Sequence, residues 1–350
     1  MKNFDYSFLI KSEVPIDIYR IIASIYEYKG RQHFHTLNKT NSLDKYILHT
    51  KLRSTIESNK IEGIYTTEKR SKEIIIDKIP PQNLVEQEIV GYSRVYEMIQ
   101  EDFRNIDISS NVMLQLHRDL YKYTTLSFGG KYKTSDNLIV SVDQLGNKKV
   151  IFKPLKAIYT ENAMFNLCEA YRETIEENLV EPLLILPVFI LDFLSIHPFN
   201  DGNGRISRLL TNLILRKLGF DVCDYVSYEK KIYDNLKMYY STLNRASQDW
   251  HDNKIDYYGF IRYSLILLLD SYKEFDELFI KDVVKKSSKK ERIIKKINSN
   301  LGSFSKKELS EKLIDISGST IERVLSELLK RGDIQKIGDR KTARYKKSDI

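Results

Sequence analysis

Within twelve residues, His197-Pro198-Phe199-Asn200-Asp201-Gly202-Asn203-Gly204-Arg205-Ile206-Ser207-Arg208, the chain assembles a base, a carboxylate, two glycines and two arginines. An imidazole such as that of His197 titrates near neutral pH and can take a proton from an attacking hydroxyl. Asp201 offers the hard oxygen that Mg²⁺ takes alongside phosphate oxygens. Gly202 and Gly204, on either side of Asn203, can adopt the positive-φ turns that aim successive N–H groups at one point. A helix starting just after them adds free N–H groups and the positive end of its dipole. Arg205 and Arg208, three residues apart, share a face of that helix and bring two fixed cations. Such a segment can bind several phosphates with a base at its mouth. A plainer arrangement, with His197 capping a helix and both arginines in surface pairs, would suit a lone Gly-x-Gly but not this combination.

The flanking elements must hold the segment still. Residues 183–196 are almost wholly apolar, which predicts a central helix, ended by Pro198. A helix from about Arg205 to Leu218 follows, with Arg216 and Lys217 in its last turn and Gly219 after it. Upstream, periodicity predicts helices over 15–29, 43–62, 84–100 and from 110 onward, with His117 on the flank of the last. Downstream, it predicts helices over 160–177, 228–246 and 256–278. Leu138–Val142 and Lys149–Phe152 read as a β-hairpin with a turn at Asp143–Asn147. A lone hairpin is marginally stable and must lean on helices or a ligand. Glu62 is out of place. It ends the 43–62 helix just before Gly63, where the helix dipole disfavours an anion. Either water solvates it or a cation lies nearby.

Composition sets the outer limits. The 350 residues are 42% hydrophobic and 30% charged, enough for two or three folded domains. Cys168 and Cys223 form neither a CxxC pair nor a disulfide framework, which favours a reducing, cytoplasmic setting. No secretory signal is evident, and the longest apolar run, 182–191, is too short to span a bilayer. Of the net charge of +8, residues 281–350 alone carry +10, so the remainder is slightly acidic. Any nucleic-acid contact therefore belongs to the tail. Residues 281–290 read as a Lys/Ser-rich linker. Beyond it come three short helices (292–297, 306–313, 320–331) and two strands (333–337, 343–346) around a basic turn. Ser305 and Glu308 form a capping box. This is the order of a winged helix-turn-helix module over 291–350, fit for DNA or for protein contact.

The twelve-residue segment resembles the signature of the Fic-domain family, His-Pro-Phe-x-Asp/Glu-Gly-Asn-Gly-Arg-x-x-Arg, at every fixed position, and the resemblance extends over about 110–250. It implies a mainly α, Fic-type helical bundle with a β-hairpin flap, plus the C-terminal winged helix. The domains would be 1–108, including an inhibitory helix at about 43–63, and a core over 109–280 with a flap at 137–152. It also implies a protein adenylyltransferase that moves AMP from ATP, with Mg²⁺, to a hydroxyl of a target protein. His197 would be the base and Asp201 the Mg²⁺ ligand. Gly202, Asn203, Gly204, Arg205, Ile206, Ser207 and Arg208 would cradle the phosphates, and Phe199 would anchor the loop. Ile139, Val140 and Ser141 of the flap would align the target as an added strand. Tyr239 would line the base and ribose; some relatives have Asn where this chain has Ser247. Ser58-x-x-x-Glu62-Gly63 resembles the family's inhibitory motif, in which Glu62 would pair with Arg208 and displace the γ-phosphate. In some relatives this Glu also supports AMP removal, and relatives with this layout are often homodimers. Two alternatives stay in view: a Fic-type transferase with another donor, which the intact motif disfavours, and a nucleotide-sensing, DNA-binding regulator.

Overall fold

The structure is a computed structural model that describes every residue except 1, 12, 38–42, 143–147, 287, 301, 339–342 and 349–350, together with the side chains of 141, 142, 148 and 281–286. The turn read at Asp143–Asn147 and most of the basic turn at 338–341 thus lie outside the described residues. The chain divides into two units, Met1–Asp276 and Glu277–Ile350.

In the first unit, α1 (Phe8–Lys11), α2 (Ile16–Leu37), α3 (Asp44–Ile61), α4 (Glu68–Ile75), α5 (Leu84–Asp102) and α6 (Ser110–Leu120) precede a hairpin of β1 (Ile139–Val142) and β2 (Lys148–Phe152). Then follow α7 (Ala157–Glu177), α8 (Pro182–Ile196), α9 (Asn203–Lys217), α10 (Tyr228–Asp234), α11 (Leu236–Ala246) and α12 (Tyr258–Lys286), whose residues from Glu277 on belong to the second unit. Asn83 and Ser109 cap α5 and α6 through their side-chain oxygens. The hairpin is antiparallel, pairing Val140 with Val150 and Ile139 with Phe152 across an irregularity between Ile139 and Val140.

Every residue of α8 from Leu183 to Ile196 is buried. Pro187 removes one helical hydrogen bond, yet packing on all faces carries the helix through it. The C-terminal half of α3 is as deeply buried but polar: Ser54, Thr55, Glu57, Ser58 and Asn59 all lie inside. It packs on α5 and α10, and its buried apolar side chains are Ile61 and Ile56, the latter in a small cluster with Ile75 and Ile89.

Several elements depart from their sequence-based boundaries. The stretch 228–246 is two helices, because the Asn235 amide donates to the Lys231 carbonyl and interrupts the run. The helix α4 had no reading of its own. The linker read at 281–290 is helical as far as Lys286, since lysine is a good helix former and neither Gly nor Pro stops it. Ser288 then caps α13 (Lys289–Asn298).

The second unit continues with β3 (Phe304–Ser305), α14 (Lys306–Lys312), α15 (Gly318–Arg331), β4 (Ile334–Ile337) and β5 (Arg344–Lys347). The strands pair in the order β3-β5-β4. Ile293, Phe304, Leu309, Ile321, Leu325 and Ile334 form part of its own core. Ser305 and Glu308 make the capping box.

Candidate active site

The site begins where α8 stops. His197 takes a left-handed φ of 52°, and its backbone N–H closes the last turn on the Phe193 carbonyl. Phe199 is wholly buried. Its backbone is locked by the Asn203 side chain, which accepts from Phe199 N at 2.9 Å and donates to Phe199 O at 2.8 Å. Gly202 holds φ at 82° and caps α9. Gly204 does not take a positive φ; it sits in the first turn of α9, where the expected loop is already helix. What it supplies is close approach: a Cβ there would lie 2.1 Å from Glu62 Oε1.

The His197 Nδ1 lies 3.3 Å from the Leu194 carbonyl. A carbonyl can only accept, so Nδ1 carries the proton and Nε2 keeps its lone pair. Burial, and after it the nearby Lys133 cation, hold the pKa of His197 down at about 4, with Leu194, Glu62 and Asp201 opposing them. The ring is therefore neutral at pH 7 and able to accept a proton.

The two arginines part company. Arg205 is wholly buried and donates to Glu88 Oε2 at 2.7 Å and to the Tyr121 hydroxyl at 2.6 Å. That hydroxyl donates in turn to Asp201 Oδ2 at 2.8 Å, and Gly202 N donates to Asp201 Oδ1 at 2.7 Å. The Asp201 side chain nevertheless remains 59% exposed. Arg208 faces the other way. Its Nε donates to Ser58 Oγ at 2.7 Å, and its Nη2 to Ser58 O at 2.9 Å and Glu62 Oε1 at 2.7 Å. Glu62 caps α3, and Gly63 follows with a φ of 75°. The cation that a carboxylate at a helix C-terminus calls for is thus Arg208, and the Glu62 carboxylate also lies against the first turn of α9.

A cavity of about 580 Å³ opens between these groups and the hairpin. His197, Gly204, Arg208 and Glu62 line one end, Tyr239, Tyr240, Leu243, Asn244 and Ser247 another, and Ile139, Val140, Ile151 and Phe152 the hairpin side. Ser141 pairs with Lys149 in the hairpin. Of the other residues expected to cradle phosphate, Ile206 is buried in the core and the Ser207 hydroxyl donates to Gly204 O. Asp201, Gly202, Asn203, Arg205, Ile206 and Ser207 do not line the cavity; of the residues expected to cradle phosphate, Gly204 and Arg208 do.

Sequence reasoning missed the supports. His117, placed on a helix flank, is fully buried and stacks on Phe199 with centroids 3.8 Å apart. Its Nδ1 accepts from Gly130 N, which leaves Nε2 to donate to Asp201 O at 3.0 Å. Burial lowers its pKa to about 4, so this tautomer is neutral. Glu88, Tyr121, Lys133 and Asn137 were also missed. Glu88 is 117 residues from its partner, and no local pattern announces such a pairing.

Residues 107–215 match the model of the Fic/DOC family. A Fido domain-containing protein of Dictyostelium discoideum is 31% identical over 86 residues, 25% of this chain and 58% of that protein. The protein adenylyltransferase Fic of Nematostella vectensis is 25% identical over 168 residues, 47% of this chain and 37% of that protein. The chain thus spans less than two thirds of the length of either curated relative. The crystal structure of a Fic family protein from Desulfovibrio desulfuricans shares the fold at a TM-score of 0.63 and 22% identity, covering 97% of this chain and 98% of that one.

Proposed function

We propose that this site transfers AMP from ATP to a hydroxyl of a target protein and that Glu62 holds it in check, a reading supported by the match of residues 107–215 to the Fic/DOC family model. The observation that carries the reading is Arg208: a buried cation beside a neutral histidine, held by Ser58 and by a single carboxylate that a phosphate could replace. The relative named as an adenylyltransferase adds support for the donor.

In this reading the target hydroxyl attacks the α-phosphorus of ATP. An O–P bond forms, the bond from the α-phosphorus to the bridging oxygen breaks, and pyrophosphate leaves with the electron pair. The hydroxyl proton passes to His197 Nε2, the lone pair that the Nδ1–Leu194 contact leaves free. The adenosine would lie toward Tyr239, Tyr240 and Leu243, and the phosphates toward Gly204 and Arg208. Asp201 is suited to Mg²⁺: one hard, half-exposed carboxylate, already oriented by Tyr121 and Gly202, with the nucleotide left to supply further oxygens. Mg²⁺ would neutralise phosphate charge. Among the described residues no group of three or more His, Cys, Asp or Glu forms an all-protein metal site. Val140 and Val150, both partly exposed on the hairpin, suit a target strand added alongside.

Glu62 at Arg208 and against the α9 N-terminus stands where the γ-phosphate would otherwise bind. The test is Glu62→Gly with α-labelled ATP: the label should appear on protein far above the wild-type level and vanish with an added His197→Ala. Transfer from γ-labelled ATP in place of α-labelled would overturn the reaction type.

A second reading concerns residues 291–350, whose element order suits a winged helix used for macromolecular contact. Several of its cations are committed to ion pairs, Arg292 with Asp315, Lys306 with Glu322 and Arg344 with Glu308. This favours a protein partner over duplex DNA. Binding of the full chain to duplex DNA that weakens steeply with salt would reverse that preference.

A further inference from the structure

The end of α8 leaves a row of carbonyls without helical partners, at the negative end of the helix dipole. A short strap between α6 and β1 takes up four consecutive ones. Lys133 Nζ donates to Ile196 O at 2.9 Å, and Lys133 N donates to Pro198 O at 2.9 Å. Asn137 Nδ2 donates to His197 O at 3.4 Å and to Phe199 O at 3.3 Å. The two side chains also hold each other, Lys133 Nζ donating to Asn137 Oδ1 at 2.9 Å. Lys133 is buried. Between them, Asp136 Oδ1 accepts from Ala157 N at the start of α7, on the far side of the hairpin. Strand β1 starts two residues after Asn137.

We propose that Lys133 and Asn137 are positioning residues that tie the root of the hairpin to the backbone of residues 196–199 and so set the distance between a docked hydroxyl and His197. Neither residue lines the cavity, so neither is asked to touch ATP. Among the described residues the hairpin strands pair only with each other. The placement of the hairpin over the site therefore rests on side-chain packing, such as Phe152 on His251, and on its root, which the strap makes one piece with the loop that carries the base. A misplacement of about 1 Å at a reacting centre can cost on the order of 100-fold in rate.

This proposal rests on the transfer reading above, and the experiment separates the two. In the Glu62→Gly chain, Asn137→Ala and Lys133→Met should each lower kcat for AMP transfer to protein by roughly 10- to 100-fold. The KM for ATP should stay within about twofold, and Lys133→Arg should recover most of the loss. A KM for ATP that rises in step with the lost transfer, or an unchanged kcat, overturns the proposal. A second readout needs no turnover. The ring signals of His197, followed by NMR in the full chain, should be one narrow set in the parent and broadened or multiple in Asn137→Ala. If Glu62→Gly transfers no AMP, the transfer reading fails, and the NMR arm still decides the strap: unchanged ring signals overturn it.

Discussion

Two helices bury their flanks against the site, and they are held by opposite means. Helix α8 is apolar over nearly its whole surface, with Asp192 and Ser195 the buried exceptions, and burial holds it. The C-terminal half of α3 is buried through Ser54, Thr55, Ser58 and Asn59, and what holds it next to the site is directional: Ser54 Oγ to Ser227 Oγ, and Arg208 to Ser58 and Glu62. Burial of apolar surface is non-directional and nothing in water substitutes for it. A hydrogen bond or ion pair can be exchanged for another of like geometry, and an arginine accepts a phosphate as readily as a carboxylate. The same molecule thus contains a support that does not trade partners and a neighbour that can. The loop shows the same division. Arg205 is committed to Glu88 inside the core, while Arg208 meets a Glu62 that is 31% exposed.

The sharpest way to break the comparison is to damage each helix in turn. Phe193→Ala in α8 empties a fully buried site and should cost about 3–5 kcal/mol of stability, measured by denaturant unfolding. Glu62→Gly should destabilise the free protein less, because Glu62 is partly in water. Its effect on function should be larger, with AMP transfer raised on the order of 100-fold, as removal of a competing contact worth about 2.7 kcal/mol would give. The unfolding temperature of that variant should rise with MgATP, while that of the wild type should scarcely move. Equal responses to MgATP would mean that Glu62 does not compete with nucleotide.

The pH dependence sharpens the base assignment. Burial and Lys133 depress His197 to about 4, so its neutral form is lost only as pH falls toward that value. The acid limb of kcat/KM for the Glu62→Gly enzyme should therefore lie well below the ordinary histidine range. Removing Glu62 takes away an influence that raises the His197 pKa, so the limb should move further down and not up. A limb near pH 6.5 would contradict a buried base. The smallest effect is expected from Ser58→Ala. It removes one acceptor from Arg208 but leaves the Ser58 carbonyl and Glu62, and should weaken the pair by about 1 kcal/mol. Labelling roughly fivefold above wild type and far below Glu62→Gly would fit.

Much of the candidate site was legible because its signals are local. An apolar run, a proline and a glycine mark where α8 ends and α9 begins. The misfit of Glu62 at a helix end left two readings, water or a nearby cation, and Arg208 is that cation. The hairpin followed from two β-rich runs around turn residues. What escaped were buried polar side chains with distant partners, such as His117, Glu88 and Lys133, whose residue types say nothing of which backbone carbonyl or carboxylate they will meet. Gly204 was assigned to a loop because glycine suits a positive φ, whereas the structure uses it for lack of a side chain beside Glu62.

The chemistry available at residues 197–208, the burial of α8 and the electrostatic misfit of Glu62 at a helix end can be read from the chain alone, because each depends on neighbours within a few turns. Only the tertiary structure decided that Arg205 turns inward to Glu88 while Arg208 is shared between Ser58 and Glu62. Two arginines three apart on one helix look alike in sequence. They differ because packing leaves one no exit from the core and sets the other at the edge of a cavity.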